Sequence, residues 1–134
     1  MTEVQHINPE GLPRNPAFSH AVSVRGAHKV IYVGGQNAVS SSGSVVGKGD
    51  VAAQTRQVFQ NLEHVLESAG ARMEHVVKWN IMVVAGQPIP PAFQVFQETW
   101  GRRPDPPAIT VSFVAGLANP DFLVEMDAVA VVPE

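Results

Sequence analysis

The chain has 134 residues, of which 45% are hydrophobic and 16% charged, a composition ordinary for a single globular domain spanning residues 1–134. The formal net charge of −3 gives no basic field for nucleic acid, and the absence of cysteine excludes disulfides and thiolate chemistry. Without a signal-peptide pattern or an apolar run of about 18 residues, we expect a cytoplasmic protein with no membrane partner.

The N-terminal part is predicted to be extended. Residues 2–19 contain three prolines and no sustained hydrophobic period, which indicates an arm with at most a short edge strand. Residues 20–24 and 29–33 are β-prone and flank a glycine-containing turn, so we predict that they pair as a hairpin. Gly34 and Gly35 end the second strand, and two glycines there indicate close approach of the backbone to another segment or to a ligand. A turn at 40–43 and a short strand at 44–46 complete this part.

A helix is predicted over residues 51–69. Asp50 suits its N-cap, and Gly70 suits the left-handed position after its end. One stripe carries the apolar side chains at helical spacing: Val51, Thr55, Val58, Leu62, Val65 and Ala69. The polar residues, Gln54 and Gln60 among them, are placed on the other faces, so the stripe must pack on a sheet.

The C-terminal half predicts three strands and a second helix. Residues 76–84 alternate as a strand, with Val77 on the same face as Trp79. Phe93, Phe96 and Trp100 indicate a short helix over 92–100 whose aromatic face belongs to the core. The last two strands are predicted at 108–114 and 123–132. This order favours an α+β fold: a mainly antiparallel sheet with both helices on one face. The other face, left uncovered, predicts homo-oligomerisation.

Glu125 is the first candidate for chemistry. It lies within the apolar run of the last strand, where an unpaired charge is costly to bury unless it is hydrogen-bonded or placed at a wet cleft. The histidines show no metal-ligand spacing, so no metal site is predicted: His6, His20, His28, His64 and His75.

Taken together, several short segments resemble the RidA family, also called the YjgF or endoribonuclease L-PSP-like family. The matching segments occur in the family's order at residues 18–22 (FSHAV), 32–36 (YVGGQ), 50–55 (DVAAQT), 61–62 (NL), 69–70 (AG), 76–78 (VVK), 107–108 (PA) and 124–130 (VEMDAVA). The resemblance implies a chorismate-mutase-like fold and a homotrimer with clefts between subunits. It also implies hydrolysis of enamines and imines to 2-keto acids and ammonia without a cofactor.

The resemblance also assigns site residues. The family's water-activating glutamate falls on Glu125, and its substrate-binding arginine falls on Ile109. The other cleft positions fall on Phe18, Gly34, Gly35, Gln36, Thr110 and Val111.

Isoleucine at position 109 removes the guanidinium fork that would hold a substrate carboxylate. A less polar cleft favours a neutral or more apolar small-molecule ligand. Arg14, Arg102 and Arg103 are the candidate surrogate cations, although exposed loop arginines are usually solvated.

Three functions remain open. The leading hypothesis is a trimer that binds a small metabolite between subunits and hydrolyses an imine or related C–N bond through Glu125. The alternative is a non-catalytic trimer that binds a small molecule or a protein. A third reading, ribonuclease or translation inhibition, is disfavoured by the acidic balance of the chain.

Overall fold

Helix α1 (Val51–Ser68) begins where the sequence predicts, because Asp50 caps it. The Asp50 carboxylate accepts a hydrogen bond from the backbone N–H of Ala53 at 3.0 Å. Gly70 follows the helix with a φ of +78°, a left-handed conformation that a residue without a Cβ adopts freely. The predicted helix is therefore confirmed to within one residue at its C-terminal end.

The computed structural model describes residues 1–134. Besides α1, its elements are β1 (Glu3–Ile7), β2 (Ala21–Arg25), β3 (His28–Gln36), a 3₁₀ turn (Met73–His75), β4 (Val76–Val84), α2 (Ile89–Trp100), β5 (Ala108–Val114) and β6 (Val124–Pro133). Neither helix is long and apolar enough to cross a membrane.

Four strands form the main sheet in the order β3-β6-β4-β5. The β3–β6 and β6–β4 pairs are antiparallel, and β4 and β5 are parallel, joined by the crossover through α2. Helix α1 packs against α2, β3 and β6. The predicted α+β fold, mainly antiparallel with both helices on one face, is confirmed.

The core between helices and sheet is built around Trp79 of β4, which is fully buried. Phe59 of α1 and Phe96 and Trp100 of α2 surround its indole ring, with centroids 5.5–5.8 Å away in edge-to-face arrangements. Pro90 and Pro91 occupy the first turn of α2, where a missing backbone N–H costs nothing. This helix therefore begins three residues before the predicted start.

The predicted hairpin of residues 20–24 with 29–33 is wrong. Strand β2 pairs instead with β1, from Glu3 opposite Arg25 to Ile7 opposite Ala21, as a separate two-stranded ribbon. Strand β3 pairs with β6 at the other end of the chain. The edge strand expected in the arm is present as β1. It pairs with β2, the strand that the hairpin prediction had paired with β3.

Two smaller predictions are also corrected. A β-bulge between Val76 and Lys78 breaks the alternation of β4, so Val76 is buried in the core where Val77 was predicted. The short strand expected at 44–46 is reduced to a single bridge between Val39 and Val45.

The face of the sheet away from the helices is uncovered in the single chain. Tyr32 of β3 is 80% exposed there, and Val30 lies on the same side of the strand. On the other three strands the face carries two polar pairs, Asn80 with Asp127 at 2.8 Å and Lys78 with Thr110. We call this surface the open face.

Candidate functional site

Glu125 lies on the open face, next to Met82 of the neighbouring strand, and is half-buried. Its Oε1 accepts a hydrogen bond from Asn37 Nδ2 at 3.1 Å, and its Oε2 accepts none within the chain. The carboxylate is therefore held at one oxygen and available at the other.

Gly35 packs directly against this carboxylate. The pairing register of β3 with β6 shifts between Val33 and Gln36, which marks an irregularity at the two glycines. A Cβ on Gly35 would lie 2.6 Å from Glu125 Oε2, whereas a Cβ on Gly34 would meet nothing within 4 Å. The close approach predicted for the glycine pair is thus made by Gly35, and its partner is Glu125.

Asn37 is itself fixed by helix α1. Asn61 Nδ2 donates to the backbone oxygens of Asn37 and Val39, at 3.0 and 2.9 Å. Gln57 in turn donates to Asn61 Oδ1 at 2.9 Å. Asn37 was not predicted as a site residue, because a polar side chain that follows a pair of glycines gives no signal of its own.

Gln36 does not point into a site within the chain. Its side-chain amide donates back to the carbonyl oxygen of Gly34 at 3.2 Å, across the same irregular stretch of β3. In this arrangement it stabilises the local turn of the strand.

A second group of predicted residues lines an apolar cavity of about 250 Å³ between α2, β5 and the N-terminal arm. Phe18 comes from the arm, and Ile109 and Val111 come from β5. The remaining lining residues are Asn15, Ala17, Thr55, Ile81, Val83, Ile89, Ala92, Phe93, Phe96, Val124 and Met126. Asn15 and Thr55 are the polar members, and none of the set is charged.

Phe93 was predicted to belong to the core, and the structure corrects this. It is 42% exposed and forms part of the cavity wall, with its ring stacked on Phe96 at a centroid distance of 6.0 Å. Helical spacing correctly placed Phe93 near the same face as Phe96 and Trp100. It could not show that β5 and the arm leave the Phe93 ring partly uncovered.

The arm forms one wall of the cavity because it is tied to the start of β5. Ser19 is buried, its backbone N–H donates to Pro107 O at 3.0 Å, and its hydroxyl donates to Pro106 O. His6 Nδ1 lies 3.1 Å from both the Ser19 hydroxyl and Pro106 O. These bonds hold Phe18 over the cavity.

The two groups of residues lie on opposite faces of the sheet. Ile109 is next to Trp79 in the register of β4 with β5, on the helix-covered face. Glu125 is next to Met82, and Thr110 accepts from Lys78 Nζ at 2.7 Å, both on the open face. Within one chain, the predicted site residues therefore do not form one pocket.

None of the candidate surrogate arginines lines the cavity. Arg103 Nη1 donates to the backbone oxygens of Thr99 and Trp100, at 2.8 and 2.9 Å, and its guanidinium lies 5.6 Å from the Trp100 ring. Arg14 and Arg102 are exposed. No group of three or more His, Asp or Glu side chains is arranged to hold a metal ion.

Comparison with known proteins gives consistent matches. Residues 12–132 match the family described as Endoribonuclease L-PSP. The 3-aminoacrylate deaminase RutC of Acinetobacter baylyi is 34% identical over 125 residues, which cover 92% of this chain and 94% of that protein.

Two solved structures give the same result for the fold. The Rid-family protein YyfB of Yersinia pestis superposes with a TM-score of 0.84 at 36% identity, over 96% of this chain and 98% of the other. Rv2704 of Mycobacterium tuberculosis, of the YjgF/YER057c/UK114 family, gives a TM-score of 0.65 at 29% identity, over 85% and 86% of the two chains.

Proposed function

The chain belongs to the endoribonuclease L-PSP family, which is the RidA/YjgF family, and from this premise we propose that it hydrolyses a small imine or enamine in a cleft between two copies. The deaminase relative RutC supports a reaction at a C–N bond. The product would be a carbonyl compound and ammonia.

The observation that carries the proposal is the fixed carboxylate of Glu125. Asn37 holds Oε1, Gly35 leaves room beside Oε2, and the bare sheet face gives solvent access to that oxygen. A carboxylate in hydrogen-bond reach of a water molecule can act as a general base. Asp127, the other carboxylate on this strand, also has one oxygen bonded to an asparagine, but no glycine lies against it.

The chemical step needs only water as co-reactant. Water adds to the carbon of the C=N bond while Glu125 accepts one of its protons and passes it to the nitrogen, which gives a carbinolamine. Glu125 then accepts the hydroxyl proton of the carbinolamine and delivers it to the nitrogen, so that the C–N bond breaks, ammonia leaves and the carbonyl forms. The balance is imine plus water to carbonyl compound plus ammonia.

We infer that a second copy of the chain completes the site. The apolar cavity with Ile109 lies on the helix side of the sheet, and Glu125 lies on the open face. The uncovered open face and the exposed Tyr32 are the surface through which copies would associate. With the open face of one copy packed against the cavity side of the next, the carboxylate of the first and the cavity of the second would border the same cleft.

Ile109 restricts the charge of the substrates that the cavity can bind. A carboxylate substrate would meet no cation in the cavity, so its binding would lose a charge-assisted pair worth roughly a hundredfold or more in affinity. We therefore propose that 2-imino acids are poor substrates and that imines without a carboxylate are better ones.

The test follows the decay of two imines generated in situ. 2-Aminoacrylate carries a carboxylate, and the imine of benzaldehyde, released by oxidation of benzylamine, does not. We expect the protein to accelerate the decay of the second, and Glu125→Gln to abolish the effect. Asp127→Asn is the matched control, because it makes the same change on the same strand and face. Equal rates for Glu125→Gln and the unmodified protein would refute the role of Glu125.

The alternative is a trimer that binds a small molecule without catalysis. It is supported by the absence of any charged residue in the cavity, since an apolar pocket can bind a ligand and still lack an anchor for a reacting group. Ligand binding with unchanged decay of both imines would favour this alternative. Salt-sensitive RNA binding would instead favour the ribonuclease reading.

A further inference from the structure

We propose that the apolar cavity selects an uncharged, ring-sized ligand whose polar group is a neutral hydrogen-bond acceptor facing Asn15. This inference rests on the proposed ligand-binding function and names the class of molecule that the site takes.

The size of the cavity sets the size of the ligand. Its volume is about 250 Å³. An apolar protein cavity of about 150 Å³ holds one benzene molecule, so by proportion this cavity holds about ten non-hydrogen atoms. A substituted six-membered ring, or a branched hydrocarbon of the same bulk, meets this limit.

The lining excludes charge from the ligand. Twelve of the fourteen lining residues are hydrophobic, and none is Lys, Arg, His, Asp or Glu. A buried carboxylate or ammonium would have no counter-ion among them, and such a charge loses its hydration without compensation. At the position where a guanidinium could have offered two hydrogen bonds, Ile109 presents only methyl and methylene groups.

The two polar side chains of the lining determine whether the ligand should carry a hydrogen-bond donor or an acceptor. Thr55 is buried, and its hydroxyl donates its proton to Val51 O at 2.7 Å, so it has no donor left for a ligand. Asn15 Oδ1 accepts from the backbone N–H of Ala17 at 2.8 Å, while its Nδ2 has no partner within the chain. The free donor at the rim is thus the Asn15 amide group, which pairs with a carbonyl, hydroxyl or imine nitrogen.

The wall supplied by Phe93 favours a flat ring. Phe93 is stacked on Phe96 with an interplanar angle of 23° and leaves part of its surface in the cavity. Phe18 faces the same space from the arm. Aromatic rings prefer offset-stacked or edge-to-face contacts, which a planar ligand can make with both side chains.

The experiment uses benzamide and benzoate, which have the same shape and number of non-hydrogen atoms and differ in charge. Titration of each into the ¹⁵N-labelled full chain, followed by amide chemical shifts, gives the two dissociation constants. We expect benzamide to bind in the range of about 10 µM to 1 mM, with shifts around Ile109 and Phe93. Benzoate should bind at least tenfold more weakly.

Two variants locate the site. Phe93→Ala should weaken benzamide binding about fivefold or more, because it removes the stacking wall. Phe113→Ala is the matched control: Phe113 is 58% exposed on β5 but does not line the cavity, so benzamide affinity should be unchanged. Ile109→Arg should reverse the preference, with benzoate binding more tightly than benzamide.

The outcomes separate this inference from the proposed function. Equal or tighter binding of benzoate by the unmodified chain would overturn the ligand class, even if imine hydrolysis through Glu125 is observed. Benzamide shifts that map away from Ile109 and Phe93 would overturn the choice of cavity. A change in oligomer mass with Phe93→Ala, without benzamide binding to the unmodified chain, would show that a second copy fills the cavity and would also overturn the inference.

Discussion

Gly35 and Glu125 are so close that a single added carbon on Gly35 would lie 2.6 Å from the free carboxylate oxygen. The contact joins the irregular end of β3 to the last strand, and Asn37 holds the other oxygen of the same carboxylate. Position 35 therefore controls where the proposed catalytic oxygen points.

Gly35→Ala should impair function with little cost to folding. The new Cβ must displace the Glu125 side chain, whose terminal atoms can move, so the free energy of unfolding should fall by less than about 1 kcal/mol. Displacement of the carboxylate should lower imine hydrolysis about tenfold or more. Gly116→Ala is the control, since its Cβ meets nothing within 4 Å and the residue lies outside the candidate site. Equal activity of both variants with the unmodified protein would contradict the assignment.

Ile109→Arg should increase the activity toward 2-aminoacrylate. The guanidinium would add a bidentate partner for the substrate carboxylate at the cavity, and we expect a gain of about tenfold to a hundredfold in kcat/KM. Ile109→Gln is the control, because it adds polarity without charge. If the arginine variant is folded and remains inactive, more of the cleft than this one position differs from what carboxylate substrates require.

Gln54→Leu should destabilise the fold. Gln54 is fully buried, and its amide donates to Gly47 O and Asp121 O, at 3.1 and 2.9 Å, while its oxygen accepts from Leu123 N at 2.8 Å. Leucine has a similar volume but leaves Asp121 O and Leu123 N unpaired and removes one of the two hydrogen bonds to Gly47 O, at a cost of about 2–4 kcal/mol. Urea unfolding measures the loss.

The control for that measurement is Gln60→Leu, on the exposed side of the same helix. It should change the free energy of unfolding by no more than about 0.5 kcal/mol. A similar loss in both variants would mean that leucine in α1, rather than the buried hydrogen bonds, is responsible.

Tyr32→Lys should reduce self-association. Tyr32 is 80% exposed on the open face, and a lysine there would place a hydrated charge in the proposed contact between copies. Sedimentation velocity should show the unmodified protein at three times the mass of one chain and the lysine variant at a lower mass. Tyr32→Phe should keep the larger mass. An unmodified chain that sediments as a monomer would remove the basis for a shared cleft.

Local sequence signals predicted the helices well. Asp50, Gly70 and the spacing of Val51, Val58 and Leu62 determine α1 through contacts within a few residues of one another. Gln54 is the exception, since the helical pattern placed it on the polar side and the structure buries it. Its partners, Gly47, Asp121 and Leu123, come from loops whose positions no helical period can show.

Pairing between strands was predicted less well. Adjacent β-prone runs around a glycine turn usually form a hairpin, but here β2 pairs with β1 and β3 with β6. The arrangement of the candidate site likewise depends on pairing between strands that are far apart in the sequence. Ile109 and Glu125 are each positioned by alternation along their own strand, and only the register between β5, β4 and β6 shows that they face opposite ways.

Because the arm is attached at Ser19, the shape and polarity of the cavity depend partly on residues outside the main sheet. The arm forms one wall of the cavity that also contains Phe93 and Ile109. It is hydrogen-bonded to Pro106 and Pro107 and lies outside the four-stranded sheet. Substitutions at Asn15 or Phe18 can therefore change the shape and polarity of the cavity without altering the packing around Trp79. The ligand range of the cavity can thus change through the arm alone, independently of the residues that stabilise the fold.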